Sequence, residues 1–322
     1  RPQPPRTGRR AAYERDGGVG IVSGAKPRAT LPEAEDFLRQ RLGPIEGLVA
    51  LKEGEESQAF GFRSGGTDLV LRINASRHGF EMDRMAAERF AGPDLPVPRV
   101  VLIEPLGRWH ACVTARAPGV TLQDLRNGES HSYGRVVCDL LESLSICETG
   151  WIDGFGPFDP SGKARHQSWP AFLRAIAAHD WRPLPRELRP LLGPLIQYMA
   201  ERAPSLPERH GLIHGDFGSN NLLVADGAVT GLIDWSEAKA GDPLYDVGNL
   251  FFWRPWLDCM EQQCRYILAE APHLVREEEV VTTYAVHIGL STAHEAVQAA
   301  DVNLAEWALL RCQSLVGGGV TA

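Results

Sequence analysis

No run of about 18 apolar residues occurs in the 322-residue chain, so a membrane-spanning helix is not expected. The basic opening, RPQPPRTGRR, is followed by no apolar stretch of the kind a secretory signal needs. Cysteine is sparse and dispersed: Cys112, Cys138, Cys147, Cys259, Cys264 and Cys312 form no CxxC pair. That pattern excludes a disulfide framework and structural zinc, and reads as buried thiols in a reducing, cytoplasmic setting. An excess of positive charge is missing as well. The net charge of -8 argues against a general nucleic-acid binder and is compatible with a cationic small molecule as partner. Lysine is scarce, with four residues against 29 arginines, so guanidinium groups carry nearly all the positive charge. Nothing in the sequence demands an obligate protein partner.

What is present suits an ordinary globular protein: 43% hydrophobic and 23% charged residues, in a chain long enough for two lobes that share a cleft. Residues 1–30, rich in Pro, Arg and Gly, read as a mobile or loosely docked tail. From Thr30 a capped helix is expected to about Leu42, with Pro32 in its first turn and Gly43 just beyond. Strands follow at 47–52, 57–63 and 68–74, the last two joined by Ser64-Gly65-Gly66-Thr67, a good hairpin turn. A helix at 80–91 and strands at 99–104 and 109–115 complete a first lobe, 31–115, of one helix packed on a five-stranded antiparallel sheet. A connector at 116–120, carrying Ala117-Pro118-Gly119, leads to a larger lobe over 121–322. Helices are expected there near 121–127, 134–148, 169–179 and 190–203 and from about 243 to 315, with one strand pair at 222–224 and 229–233. The fold class is α+β, bilobal, with a small mixed lobe and a mainly helical one.

The segment LIHGDFGSNN, residues 212–221, contains H-x-D-x-x-x-x-N, the spacing of a kinase catalytic loop. In that chemistry an aspartate, here Asp216, orients the attacking hydroxyl and accepts its proton. A side-chain amide, here Asn221, holds a magnesium ion as the loop curls back. Asp and Asn in a plain turn before a strand would satisfy the same three positions. The following segment shifts the balance. An apolar strand, 229–233, ends at Asp234, where a kinase places its second magnesium ligand.

In the first lobe, Leu69-Val70-Leu71-Arg72 resembles the strand that carries a phosphate-binding lysine, with Arg72 in its place. Arginine binds phosphate bidentately, and a carboxylate on the next helix should pair with it: Asp83, with Glu81 and Glu88 as alternatives. A solvent-facing arginine on a strand is the plainer reading. The loop around Glu53-Gly54-Glu55-Glu56-Ser57 could cover nucleotide phosphates through Ser57 and backbone N–H groups, or could be only a tight turn.

Six segments resemble the aminoglycoside phosphotransferase family, whose fold is similar to that of protein kinases. They are 51–60 (LKEGEESQAF), 119–125 (GVTLQDL), 154–158 (GFGPF), 216–221 (DFGSNN), 233–238 (IDWSEA) and 251–263 (FFWRPWLDCMEQQ). They lie in both lobes, and the likeness runs from about residue 45 to 312. It implies Asp216 as catalytic base, Asn221 and Asp234 as magnesium ligands, and ATP and Mg2+ as requirements. Thr114, Ala115 and Ala117 would belong to a hinge that reads adenine through backbone groups. His214 and Asp246 would shape the catalytic loop without moving protons.

Within the family the likeness is to members that act on hygromycin B, a polycationic aminocyclitol. Its site should offer carboxylates, for which Glu237, Asp258 and Glu261 are candidates, and flat apolar faces, for which Trp235, Trp253 and Trp256 are candidates. Trp253 and Trp256 could equally be core residues. Transfer of phosphate to a hydroxyl of the drug would inactivate it, which implies antibiotic resistance. Two rival readings remain at this level: the same fold acting on another aminoglycoside, antibiotic or hydroxylated metabolite, and a silent nucleotide-binding protein. A protein kinase is disfavoured because no activation segment or APE-like motif follows Asp234.

Overall fold

The computed structural model describes residues 26–52, 57–126 and 128–321. Helix α1 (Leu31–Leu42) begins where the sequence places it, because Thr30 and Glu33 close a capping box. Glu33 accepts the Thr30 backbone N–H at 2.7 Å, and Gly43 ends the helix with φ 80°. Ala34, Phe37 and Leu38 are its buried residues, and they pack on a sheet built from β1 (Glu46–Ala50), β2 (Gln58–Ser64), β3 (Thr67–Asn74), then, after helix α2 (His78–Arg89), β4 (Val100–Leu106) and β5 (Trp109–Ala115). The strand order is β1-β2-β3-β5-β4, antiparallel throughout. Gly65 (φ 55°) and Gly66 (φ 78°) supply the two left-handed residues of the β2–β3 turn.

Side-chain alternation along β3 then decides the architecture of the cleft. Leu69, Leu71 and Ile73 are buried against α1, so Val70, Arg72 and Asn74 face the other way, toward α2. Residues 26–30, read as tail, are partly docked: Gln58 Oε1 accepts the Ala29 N–H at 2.6 Å. Residues 1–25 of that segment lie outside the described residues.

The second lobe is mainly helical, with α3 (Gly134–Ser145), α4 (Trp169–Ala175), α5 (Arg189–Arg202), α6 (Leu244–Trp253), α7 (Asp258–Glu270), α8 (Glu278–Gln298) and α9 (Val302–Gly318). Two features depart from expectation. Of the helix expected at 121–127, the described residues 121–126 form no α-helix. Val120–Thr121 form strand β6, paired with β10 (Leu222–Ala225), and Leu122–Asp124 make a single 3-10 turn. The cause is the connector, where Gly119 sits at φ 94° so close to β10 that an added Cβ would lie 2.0 Å from the Val224 carbonyl oxygen. The second departure is more β structure than one strand pair. β10 pairs with β11 (Ala228–Leu232) as expected, and β7 (Phe155–Phe158), β8 (Ala164–His166), β9 (Gly211–Ile213) and β12 (Lys239–Gly241) form a sheet ordered β8-β7-β12-β9. These strands are three or four residues long, too short for period-two patterning to register.

One backbone bond joins the lobes directly, and a side-chain bond ties the second lobe to the connector. Leu232 N–H donates to the Pro96 carbonyl at 2.8 Å, and Thr230 Oγ1 donates to the Pro118 carbonyl at 2.6 Å. All six thiols are free, and five of them are buried. Among the described residues, no helix is long and apolar enough to cross a membrane.

Candidate active site

Strand β9 ends at Ile213 and delivers His214, Gly215 and Asp216 to the cleft. The loop is bent by left-handed residues at Gly215 (φ 83°), Gly218 (φ 118°) and Ser219 (φ 31°). Gly215 has no room for a side chain, because a Cβ would stand 2.0 Å from the Glu237 carbonyl oxygen. Asp246, buried on α6, accepts the N–H groups of His214 (2.7 Å) and Gly215 (2.9 Å). Burial raises its pKa to about 7, opposed by those two bonds and by Lys239. His214 is fully buried, with Nε2 3.1 Å from the Ile233 carbonyl and Nδ1 accepting the Asp216 N–H at 3.3 Å. One nitrogen thus donates and the other accepts, which assigns the neutral Nε2–H tautomer; burial lowers its pKa to about 4. A side chain so occupied shapes the loop.

Asn221 folds back over the loop. Its Nδ2 donates to the Asp216 carbonyl at 2.9 Å and to Asp216 Oδ2 at 3.0 Å. With its amide nitrogen so used, Oδ1 is the group left for a hard cation. Asn249, also buried, holds the Phe217 carbonyl at 2.9 Å. Asp234 follows β11 in a left-handed conformation (φ 64°), with Ser236 Oγ donating to its Oδ1 at 2.8 Å. Its carboxylate opens to the cleft solvent but is walled by protein on its other sides. That desolvation, then the like charge of Asp83, raises its pKa against the pull of Arg72. A divalent cation would relieve the same repulsion. One carboxylate and one amide oxygen suit Mg2+, which usually keeps waters and phosphate oxygens. Among the described residues, no cluster of three or more His, Cys, Asp or Glu is preassembled for a metal.

On the opposite wall Arg72 pairs with Asp83, and its guanidinium lies 5.2 Å from the Phe80 ring. Burial works against the Arg72 charge, but Asp83, together with Cys112 and Asp234, more than restores it, so the group stays ionised. Of the two alternatives, Glu81 instead pairs with Arg77 at 2.8 Å and Glu88 is exposed. Ser57 Oγ accepts from Asn74 Nδ2 at 2.9 Å, while 53–56 lie outside the described residues. In the connector Thr114 is buried, and the Ala115 N–H is already spent on the Arg99 carbonyl at 2.9 Å. Arg116 N–H is likewise spent on Asp68. Of the backbone groups that the hinge was expected to offer adenine, the Ala115 and Arg116 N–H are therefore already engaged. The Ala117 N–H has no backbone partner among the described residues.

The acceptor-side candidates fare unequally. Trp235 is fully buried, 6.1 Å from Phe90 and 4.8 Å from His214 between ring centres, so it is a core residue and offers no face to a ligand. Glu261 is paired with both Arg254 and Arg265, which hold its carboxyl below the usual range despite burial. Two guanidinium groups thus already neutralise the carboxylate that was a candidate for a cationic acceptor. Glu237 is half-buried, 3.4 Å from Lys239 Nζ. Trp253 and Trp256 are half-buried and join Trp307 of α9, which the sequence reading missed; Trp253 and Trp307 stack at 5.4 Å, and Trp256 meets Trp307 edge-on at 4.3 Å. Trp256 and the exposed Asp258 also line a cavity of about 190 Å³ with Gln123, Arg126 and Gln262. A further omission is Lys239. It is buried, donates to the Glu237 carbonyl at 2.6 Å, and lies beneath Gly215. As one of only four lysines, it was the signal available.

The sequence pattern of the phosphotransferase enzyme family matches residues 47–277, more than half of the chain. The chain is 37% identical to the hygromycin-B 4-O-kinase of Escherichia coli over 299 residues, 91% of this chain and 87% of that enzyme. It is 25% identical to a homoserine kinase of Granulibacter bethesdensis over 75% of this chain and 74% of that one. Among solved structures, a thermostable mutant of the aminoglycoside phosphotransferase APH(4)-Ia, in ternary complex with ADP and hygromycin B, matches with a TM-score of 0.84 and 37% identity. That match covers 88% of this chain and 98% of the other.

Proposed function

Because the chain belongs to the phosphotransferase enzyme family, we propose that it is a kinase that transfers the γ-phosphoryl group of ATP to a hydroxyl of hygromycin B and so inactivates the drug. The observation that carries this reading is the single constellation of Asp216, Asn221 and Asp234 facing Arg72–Asp83 across one cleft. The likeness to an enzyme seen with ADP and hygromycin B supports the choice of acceptor. The Escherichia coli relative is named for the 4-hydroxyl, and the same position is proposed here.

Asp216 accepts the proton of the attacking hydroxyl as the new O–P bond forms and the bond to the ADP oxygen breaks. Asn221 and Asp234 would hold Mg2+, which when bound neutralises phosphate charge. Arg72, kept ionised by Asp83, meets phosphate oxygens from the sheet side. The Ala117 N–H and neighbouring backbone receive the base, and Ser57 stands beside the phosphates. Glu237, Asp258, Trp253 and Trp256 form the acceptor side, with Trp307 behind the indoles. The unpaired thiols support action in a reducing cytoplasm.

The test is magnesium-dependent ADP release with and without hygromycin B, with mass spectrometry of the drug. Drug-dependent release and a mass gain of one phosphoryl group are expected. ATP binding without drug-dependent turnover would overturn the acceptor, and homoserine would be the next one tried, given the second relative.

A further inference from the structure

Asp83 has two oxygens and uses them on different lobes. Oδ2 meets Arg72 Nη2 on β3, and Oδ1 accepts the backbone N–H of Trp235 at 2.9 Å. The side chain is 8% exposed, so water does not readily replace either bond. The residue bonded by Oδ1 is the one after Asp234, which holds a left-handed backbone that a non-glycine residue adopts only when its surroundings over-determine it. Those surroundings are visible. The Trp235 indole is buried against Phe90, just past the end of α2, and its Nε1 donates to the Leu232 carbonyl at 3.2 Å. Near the start of α2, Gly79 lies against Ser236, whose hydroxyl binds Asp234; a Cβ on Gly79 would reach the Ser236 Cβ at 3.4 Å. Helix α2 therefore runs along the whole turn, and Asp83 makes a charged contact with that backbone.

We propose that Asp83, besides serving as counter-ion to Arg72, is a positioning residue for Asp234: it pins the turn that aims the metal-binding carboxylate, and so sets the phosphate-binding and metal-binding groups to a common reference. This rests on the kinase reading for the roles of Arg72 and Asp234, but the contact itself does not. Asp83→Ala removes both bonds. Asp83→Asn keeps an oxygen for the Trp235 N–H and loses the charge toward Arg72. Arg72→Gln removes the phosphate-side partner alone.

Two measurements separate these. Amide hydrogen exchange at Trp235 in the nucleotide-free protein should accelerate roughly tenfold or more in Asp83→Ala, and stay near wild type in the other two variants. The Mg2+ concentration for half-maximal activity at saturating ATP should rise roughly tenfold in Asp83→Ala, with Arg72→Gln raising the KM for ATP instead. Unchanged Trp235 exchange in Asp83→Ala, or equal acceleration in Arg72→Gln, would overturn the assignment. If the alanine variant is too unstable to measure, Asp83→Asn decides: a raised KM for ATP with exchange and Mg2+ dependence preserved supports it, and joint loss overturns it. The exchange result stands whatever acceptor the enzyme proves to use.

Discussion

The wall that would do the chemistry and the wall that would receive the acceptor are built differently. Around Asp216 the holding groups are buried, and most of the bonds run to backbone: Asp246 to two N–H groups, Asn249 and Asn221 to carbonyls, His214 to one of each. Around Trp256 the contacts are side chain to side chain and half-exposed: three indoles on one another, Glu261 between two arginines. A backbone-held loop keeps one shape whichever molecule arrives, whereas a wall of paired side chains can change by substitution without disturbing the loop. On the proposed function, reaction type would be encoded in the rigid half and acceptor choice in the adaptable half.

The sharpest way to break that comparison is Asp216→Ala, which should lower kcat by roughly 10²–10⁴ while the folded state persists; near-wild-type turnover in a folded variant would remove the residue from the chemistry. Asp246→Ala should come next. It strands the buried His214 N–H, at about 1–3 kcal/mol, and the half-buried Gly215 N–H at less, so the melting temperature and kcat should fall together, and loss of neither would show that the loop is held elsewhere. On the other wall, Trp307→Ala should raise the KM for hygromycin B by roughly tenfold, about the worth of an aromatic contact, with the KM for ATP unchanged. An equal shift in both constants would merge the two walls.

A smaller effect concerns pH. His214 and His287 are buried with pKa values near 4 and 3, desolvation being the main cause for both. The unfolded chain therefore binds more protons than the native one from about pH 6.5 downward, and each group removes about 1.4 kcal/mol of stability per pH unit on acidification toward its native value. Asp246, raised to about 7, acts with the opposite sign over much of that range. With His179 also lowered to about 4, by burial and then by His294, the net expectation is a loss of stability as the pH falls from 6.5 to 4, measured by urea unfolding, and a flat profile would contradict it. The smallest change should follow Lys52→Ala, which breaks an exposed pair with Asp124 worth at most about 1 kcal/mol; raised ionic strength should erase the difference.

The same contrast explains what could be read from the sequence. Asp216, Asn221 and Asp234 were legible because their spacing along the chain is set by one loop and one hairpin, and Arg72 and Asp83 because strand alternation and a following helix face each other. The α1 cap and the five-stranded sheet were legible for similar local reasons. Trp235 misled because a large aromatic looks the same in sequence whether buried or open, and Phe90 decides that from far along the chain; the pairing of Glu261 with Arg265, one helical turn on, was a local signal left unread. Trp307 lies 51 to 54 residues beyond the indoles it touches, so no local pattern could recruit it. The short strands of the second lobe were lost to their length, and the 3-10 turn at Leu122–Asp124 to a connector whose tightness only packing reveals.

The close approach of Gly119 to Val224, with the Pro96–Leu232 and Pro118–Thr230 bonds beside it, bears on how such enzymes can be recombined. A chimaera that joins the sheet lobe of one relative to the helical lobe of another at the connector crosses a seam packed like an interior. Its partners must match a left-handed glycine, a proline carbonyl and the β10–β11 hairpin together. The productive crossover therefore lies beyond β11, where the hairpin travels with the sheet lobe. In the inheritance of new acceptor specificities, the sheet lobe and the chain as far as that hairpin should behave as one heritable block, and the exchangeable part should begin with α6.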